Sequence, residues 1–159
     1  MTNQFRGRAA RSILAAAVVS LFAAAPAFAG ECPADKVSGN AVAPVSYGPK
    51  GVTDMVLAQI DLSKEKVALK DRNMRLRKLE IQPGGIVPWH SHADRPALIY
   101  VAQGEIIEHA STCRVPIVHK AGEVAREMHT TSHWWENKSN GVVVLLSFDI
   151  QHDAHDKNM

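Results

Sequence analysis

Cysteine is scarce in this 159-residue chain, which contains only Cys32 and Cys113. Two thiols are too few for a cysteine-rich zinc site, but they can pair with each other in an oxidising compartment. By the chain-entropy argument, a bridge that closes a loop of roughly 80 residues contributes on the order of 4 kcal/mol to stability. The sequence therefore predicts a Cys32–Cys113 disulfide, with two unpaired thiols as the alternative.

A hydrophobic run long enough to span a membrane is also lacking. The apolar run from Ile13 to Ala25 has 13 residues, whereas a membrane-spanning helix needs about 20. It follows three arginines and precedes Ala27-Phe-Ala29, the small-x-small pattern of a secretory cleavage site. Residues 1–29 are therefore predicted to be a signal peptide, and the mature protein is predicted to be periplasmic or secreted, with no membrane association after cleavage.

The predicted mature chain has no excess of charge of either sign. The full sequence has 18 Lys and Arg against 16 Asp and Glu. Because residues 1–29 contain three of the arginines and no acid, 15 basic residues remain against the 16 acidic ones. A nucleic-acid partner would require clustered basic residues, so none is expected.

Helical periodicity is absent after residue 72, where short strand-like runs are separated by turn residues. These runs are 86–92, 97–103, 105–109, 115–119, 132–137 and 142–150. Such repetition predicts an all-β, antiparallel sandwich or barrel over residues 55–151. Residues 152–159 are predicted to be a C-terminal tail.

The segment before the barrel differs from it in composition. Residues 30–54 are rich in Pro, Gly, Ala and Ser, which predicts an irregular N-terminal arm. Residues 55–62 favour a strand over a short helix. In residues 74–82 apolar and charged residues alternate, but the phase changes between Leu76 and Leu79, which predicts a bulge in that strand.

Three histidines are candidate metal ligands. His90 and His92 are one residue apart in a predicted strand, and side chains at i and i+2 of a strand point to the same face. Two neutral imidazoles on one face can reach a single ion, with nitrogens about 2.0–2.1 Å from it. His133, in a later predicted strand, is the candidate for the third ligand.

The spacing of these residues resembles the two motifs of the cupin superfamily. The first motif is Gly, five residues, His-x-His, three or four residues, Glu, six residues, Gly. Gly84, His90, His92 and Gly104 match it, and Ala97 stands at the Glu position.

The second cupin motif is Gly, five residues, Pro-x-Gly, two residues, His, three residues, Asn. Gly122, His133 and Asn137 match this spacing, while Met128 and Thr130 stand where Pro and Gly are usual. The resemblance implies an antiparallel jelly-roll β-barrel with a metal ion at its centre.

Because the motif glutamate is missing, the site is similar to those of the thiol-dioxygenase and β-diketone-dioxygenase branches of the cupins. The resemblance implies a three-histidine oxygenase that uses a divalent Fe, Cu, Zn, Mn or Ni ion. Without the glutamate, three neutral imidazoles would leave the charge of that ion uncompensated, so the expected substrate is small and anionic or chelating. Enzymatic activity stays open at this point. The alternatives are a non-catalytic module that binds or senses a small ligand, and a relic site that holds no metal.

Further residues are candidates for the pocket or for hydrogen bonds to the metal ligands. These candidates are His129, which is equally well explained as a surface histidine, Trp135, Ala97 and Asn137. Glu123 and Glu127 could also supply a fourth ligand or a hydrogen bond to a ligand, but they are expected to face solvent. His109 and His119 are expected to be structural or exposed. If His133 faces inward, strand alternation points Trp89, Trp134 and Tyr100 outward, either as a homodimer face or under the N-terminal arm.

Overall fold

The computed structural model describes residues 30–152, so the predicted signal peptide and the tail after His152 lie outside the described residues. Two three-residue 3-10 helices, Ala34–Lys36 and Leu62–Lys64, accompany eight strands. No helix in this range is both long and apolar enough to cross a membrane. The strands are β1 Lys50–Asp61, β2 Arg72–Ser91, β3 Ala97–Gln103, β4 Glu105–Ala110, β5 Ile117–Lys120, β6 Val124–Glu127, β7 Ser132–Glu136 and β8 Val143–His152.

All eight strands belong to one antiparallel sheet that curves into a nearly closed barrel. Their order is β5-β4-β7-β2-β8-β3-β6, and β1 pairs with β2 outside this path. Alternate residues of most strands point into the barrel, where they form one apolar core. The predicted all-β antiparallel jelly-roll barrel is therefore confirmed. The core residues are Leu79, Ile81, Val87, Ala97, Ile99, Val101, Ile106, Ala125, Trp135, Val143 and Leu145.

Strand β2 is unusually long because it pairs with different strands along its length. Residues 72–81 pair with β8, whereas residues 86–91 pair with β7. The change occurs at Pro83-Gly84-Gly85, where Gly84 has φ +71° and a Cβ on Gly85 would lie 2.7 Å from the carbonyl oxygen of Gln82. Glycine is required there, because any side chain would force the backbone apart.

The predicted bulge in residues 74–82 is wrong. Pairing of β2 with β8 is continuous over this range, and the register shift lies instead in β1, between Val56 and Ala58. The phase of β2 does not change, because Arg75 and Arg77 point into the barrel with the apolar residues that follow. Arg75 forms two hydrogen bonds to the buried carboxylate of Asp149, at 3.0 and 2.8 Å.

Strand β6 was absent from the sequence prediction. It is only four residues long and, within the described residues, pairs with β3 alone. Two of its four residues are charged, so its composition differs little from that of a loop. Its inward-facing residues are Ala125 and Glu127, both buried.

The N-terminal segment is fastened to the barrel beside the β4–β5 connection. Cys32 and Cys113 form the predicted disulfide, with Cα atoms 5.7 Å apart. Next to it, the amide of Ser38 donates to the carbonyl of Thr112 at 3.0 Å. Further along, Tyr47 packs edge-on against Trp134 with ring centroids 5.1 Å apart. The segment therefore covers one outer face of the barrel.

We expect the disulfide to stabilise the folded protein by restricting its unfolded chain. Changing both cysteines to serine should lower the free energy of unfolding, by up to about 4 kcal/mol for a loop of 81 residues. Urea denaturation of the non-reduced wild type and the double variant would measure the difference. Equal midpoints with equal slopes would contradict a stabilising role.

Candidate metal centre

His90 and His92 lie near the end of β2, and His133 lies in the neighbouring strand β7. His90 and His133 are direct cross-strand partners, so all three rings enter the same part of the barrel interior. Their Nε2 atoms are 3.0 to 3.1 Å apart in every pairing. All three side chains are buried, and His133 is fully so. The structure thus brings together the three residues that the sequence singled out.

The other nitrogen of each ring has an oxygen partner. Nδ1 of His90 lies 2.9 Å from the carbonyl of Pro88, and Nδ1 of His92 lies 2.8 Å from the carbonyl of Arg95. Carbonyl oxygens only accept, so each Nδ1 carries the proton and donates it. Nδ1 of His133 lies 2.7 Å from a carboxylate oxygen of Glu108. Nε2 of His90 and Nε2 of His92 therefore carry lone pairs, and both lie 3.0 Å from Nε2 of His133.

A cation bound between the three Nε2 atoms would be held by the lone pairs of His90 and His92 and by that of His133 in its neutral form. Nitrogens about 2.1 Å from one ion lie about 3.0 Å apart if they subtend right angles, and about 3.4 Å apart if the arrangement is tetrahedral. The separations of 3.0 to 3.1 Å match the right-angled arrangement. The histidines could therefore hold a divalent metal ion and leave further coordination positions free.

Two buried glutamates stand behind His133. Glu108 accepts from His133 and, with its other oxygen, from Nε2 of His119 at 2.8 Å. Burial alone would raise the pKa of Glu108, but these two hydrogen bonds outweigh it and lower the pKa to about 2. A carboxylate of Glu127 lies 3.4 Å from Nδ1 of His133. Burial raises the pKa of Glu127 to about 7, and the charge of Glu108 adds to that effect.

The surroundings of the three rings set their charge. Burial, together with the charge of His133, lowers the pKa of His92 to about 3 and that of His90 well below its ordinary value. Burial acts the same way on His133, but Glu127 and Glu108 outweigh it and raise its pKa. His90 and His92 are therefore neutral and able to bind a metal, while the two carboxylates favour positive charge at the third ring.

Comparison with known families agrees with the geometry. Residues 77–149, which contain all three histidines, match the cupin domain family. Residues 77–149 therefore form a cupin domain. No curated protein sequence matches it.

Solved structures show the same fold at low sequence identity. A predicted oxalate decarboxylase from Thermotoga maritima is 23% identical, with a TM-score of 0.52, over 72% of this chain and 96% of that one. An uncharacterised protein with a double-stranded β-helix domain from Klebsiella pneumoniae is 18% identical, with a TM-score of 0.51, over 71% and 85%. An oxalate oxidase in complex with glycolate is 17% identical, with a TM-score of 0.51, over 73% and 59%.

Ala97, at the position of the cupin glutamate, points into the barrel and is buried. Its direct cross-strand partners are both acids, Glu127 in β6 and Asp149 in β8. Carboxylates from the two adjacent strands therefore lie in the interior beside Ala97. The sequence prediction that Glu127 faces solvent is wrong, because only 2% of this residue is exposed.

The remaining candidates take different places. Trp135 is 1% exposed, and its indole Nε1 lies 3.2 Å from Nε2 of His133. Asn137 donates to the carbonyls of Ile81 and Gly141, at 2.9 and 2.8 Å, so it holds the β7–β8 connection. His129 is exposed and lines a separate surface cavity.

The aromatic residues predicted to face outward are divided between two environments. Trp134 is covered by Tyr47 from the N-terminal segment and stacks on His109, with ring centroids 4.0 Å apart. Tyr100 remains exposed, and Trp89 is half-buried. Packing under the arm thus accounts for Trp134, and a homodimer stays a prediction.

Sequence reasoning missed Glu108 and underrated His119. Both lie in strands where alternation was detectable, since Ile106 and Ala110 flank Glu108 on the same inward face. The signal available in the sequence was the placement of an acid, Glu108, and a histidine, His119, at adjacent inward positions of two paired strands. Charged residues in alternating strands usually face solvent, so alternation alone does not mark this pair as buried.

Glu108 should strengthen any metal bound at the histidines by orienting His133 and balancing its charge. We expect Glu108→Gln to lower metal affinity about 10- to 100-fold. The matched control is Glu136→Gln, which removes the acid that pairs with His109 at 2.8 Å outside the core. Competition against a coloured chelator would measure both, and equal affinities for the two variants would contradict this role.

Proposed function

We propose that this cupin binds one divalent metal ion through His90, His92 and His133, and that the loaded protein oxidises a small anionic, chelating substrate with molecular oxygen. The observation that carries the proposal is the convergence of three buried Nε2 atoms within 3.1 Å, each on a ring whose Nδ1 is already engaged. His90 and His92 both carry their protons on Nδ1, so a hydrogen bond between these two rings cannot explain the 3.1 Å separation of their Nε2 atoms.

The choice of substrate class follows from charge. The three imidazoles themselves carry no negative charge, and Glu108 behind His133 balances only one of the two positive charges of the ion. An anionic ligand that offers two donor atoms is therefore favoured. The similar solved structures include an oxalate oxidase, and oxalate is a small chelating anion, which supports the same class. Iron, copper, manganese or nickel would supply redox chemistry when bound, whereas zinc would support binding only.

The cellular location belongs to the same proposal. A disulfide is typical of oxidising, extracytoplasmic compartments, and Cys32 and Cys113 form one. With the signal peptide predicted for residues 1–29, this supports a periplasmic or secreted protein that acquires its metal after export. The ion bound then depends on the metal supply of that compartment as well as on affinity.

Metal binding should require all three histidines. We expect His90→Ala, His92→Ala or His133→Ala to remove most of the bound metal, because two imidazoles leave a weak site. His109→Ala is the control, since His109 stacks on Trp134 on the outer face. Metal analysis of each purified variant gives the result, and full retention in the three triad variants would exclude this site.

Oxygen chemistry is tested separately from metal binding. We expect the iron or copper form to consume oxygen with at least one anionic chelator from a panel of hydroxy acids, diketones and thiols, and the zinc form to consume none. An oxygen electrode with metal-loaded protein measures the rate. Tight metal binding without oxygen uptake for any substrate would instead favour a non-catalytic module that binds or senses a small ligand.

A further inference from the structure

A small interior cavity lies directly beside the three-histidine cluster. Its volume is about 20 Å³, and His90 and His92 form part of its wall. Most of the remaining wall is apolar, contributed by Leu79, Val87, Ile99, Trp135 and Leu145. A single water molecule needs about 10–15 Å³ of cavity volume, so this cavity accepts one small chemical group.

Two polar residues on the same wall, Arg77 and Ser147, carry hydrogen-bond donors without a protein partner. They are direct cross-strand neighbours in β2 and β8, so their side chains enter the barrel side by side. Within residues 30–152, neither Nε of Arg77 nor Oγ of Ser147 has a hydrogen-bond partner, and both atoms are buried. A buried donor left unpaired costs about 1–3 kcal/mol, so such donors call for a specific explanation.

The guanidinium of Arg77 is already fixed in place. Its Nη1 donates to Asp54 at 2.5 Å, and its Nη2 lies 3.4 Å from Asp149. These contacts occupy the two terminal nitrogens and leave Nε as the guanidinium donor without a partner. A carboxylate suits this position, because it only accepts hydrogen bonds and because a bond between an ionised donor and an ionised acceptor is stronger than a neutral one.

We propose that Arg77 and Ser147 form the carboxylate subsite of this protein, and that the substrate is an α-substituted carboxylic acid of two or three carbons. Its carboxylate accepts from Nε of Arg77 and Oγ of Ser147, while its second donor atom faces the three histidines. This assignment rests on the metal site proposed above. The apolar wall and the small volume exclude a larger acid from this end of the barrel.

Lactate and its neutral analogue lactamide are suitable probes, because they have the same heavy-atom skeleton and differ in charge. We expect zinc-loaded wild type to bind lactate and to bind lactamide at least tenfold more weakly in isothermal titration calorimetry. Ser147→Ala should weaken lactate binding about 10-fold, the loss expected for one hydrogen bond to a charged group. Ser147→Val, which also fills the cavity, should abolish it.

Serine variants are preferred over Arg77 variants, because removing Arg77 would leave Asp54 and Asp149 without their partner. Ser111→Ala is the control, since the hydroxyl of Ser111 is buried outside this cavity and accepts from the amide of Ser132 at 3.0 Å. All three variants should retain wild-type zinc content. Absence of lactate binding by the zinc-loaded wild type, equal affinity for lactate and lactamide, or unchanged lactate binding by Ser147→Val would overturn the subsite.

Failure of the metal site gives a different result. If the wild type takes up no zinc, the proposed function falls, and titration of the metal-free protein with lactate then decides the subsite alone. If the metal-free wild type binds lactate and Ser147→Val does not, the carboxylate subsite stands. If the metal-free wild type binds no lactate, the subsite is overturned as well.

Discussion

The candidate site depends on the change of pairing partner along β2, and that change occurs at a backbone position that has no room for a side chain. A Cβ on Gly85 would lie 2.7 Å from the carbonyl oxygen of Gln82. At this point β2 leaves β8 and joins β7. Only because of that change do His90 and His92 come to face His133 across a strand pair.

Once the strands are in place, the chemistry of the site is determined by what lies on the far side of each ring. Two backbone carbonyls and the Glu108 carboxylate accept hydrogen bonds from the three Nδ1 atoms. This choice of tautomer directs all three basic nitrogens to one point. The site therefore combines rigid strands with hydrogen bonds that select the form of each ring, and neither would suffice alone.

The antiparallel strands and the shared face of His90 and His92 could be predicted because they depend on local rules, whereas the jelly-roll barrel was implied by the spacing of the two cupin motifs. Strand parity puts His90 and His92 on one face without knowledge of the fold, and two cysteines in one chain allow a single intramolecular pairing. The inward-facing charges could not be predicted by the same rules. Arg75, Arg77 and Glu127 alternate with other residues as a solvent-facing row would, and only their partners on distant strands show that they are inside.

The cluster of charges around Asp149 has an evolutionary consequence. Arg75, Arg77 and Arg95 all place a guanidinium nitrogen within 4 Å of its carboxylate, and Asp54 pairs with Arg77. Losing one member of a buried ion pair costs about 3–5 kcal/mol, whereas replacing all members with well-packed apolar residues can be neutral. A lineage can therefore leave this arrangement only through concerted change, so these five positions should co-vary among homologous chains even where the surrounding apolar residues drift independently.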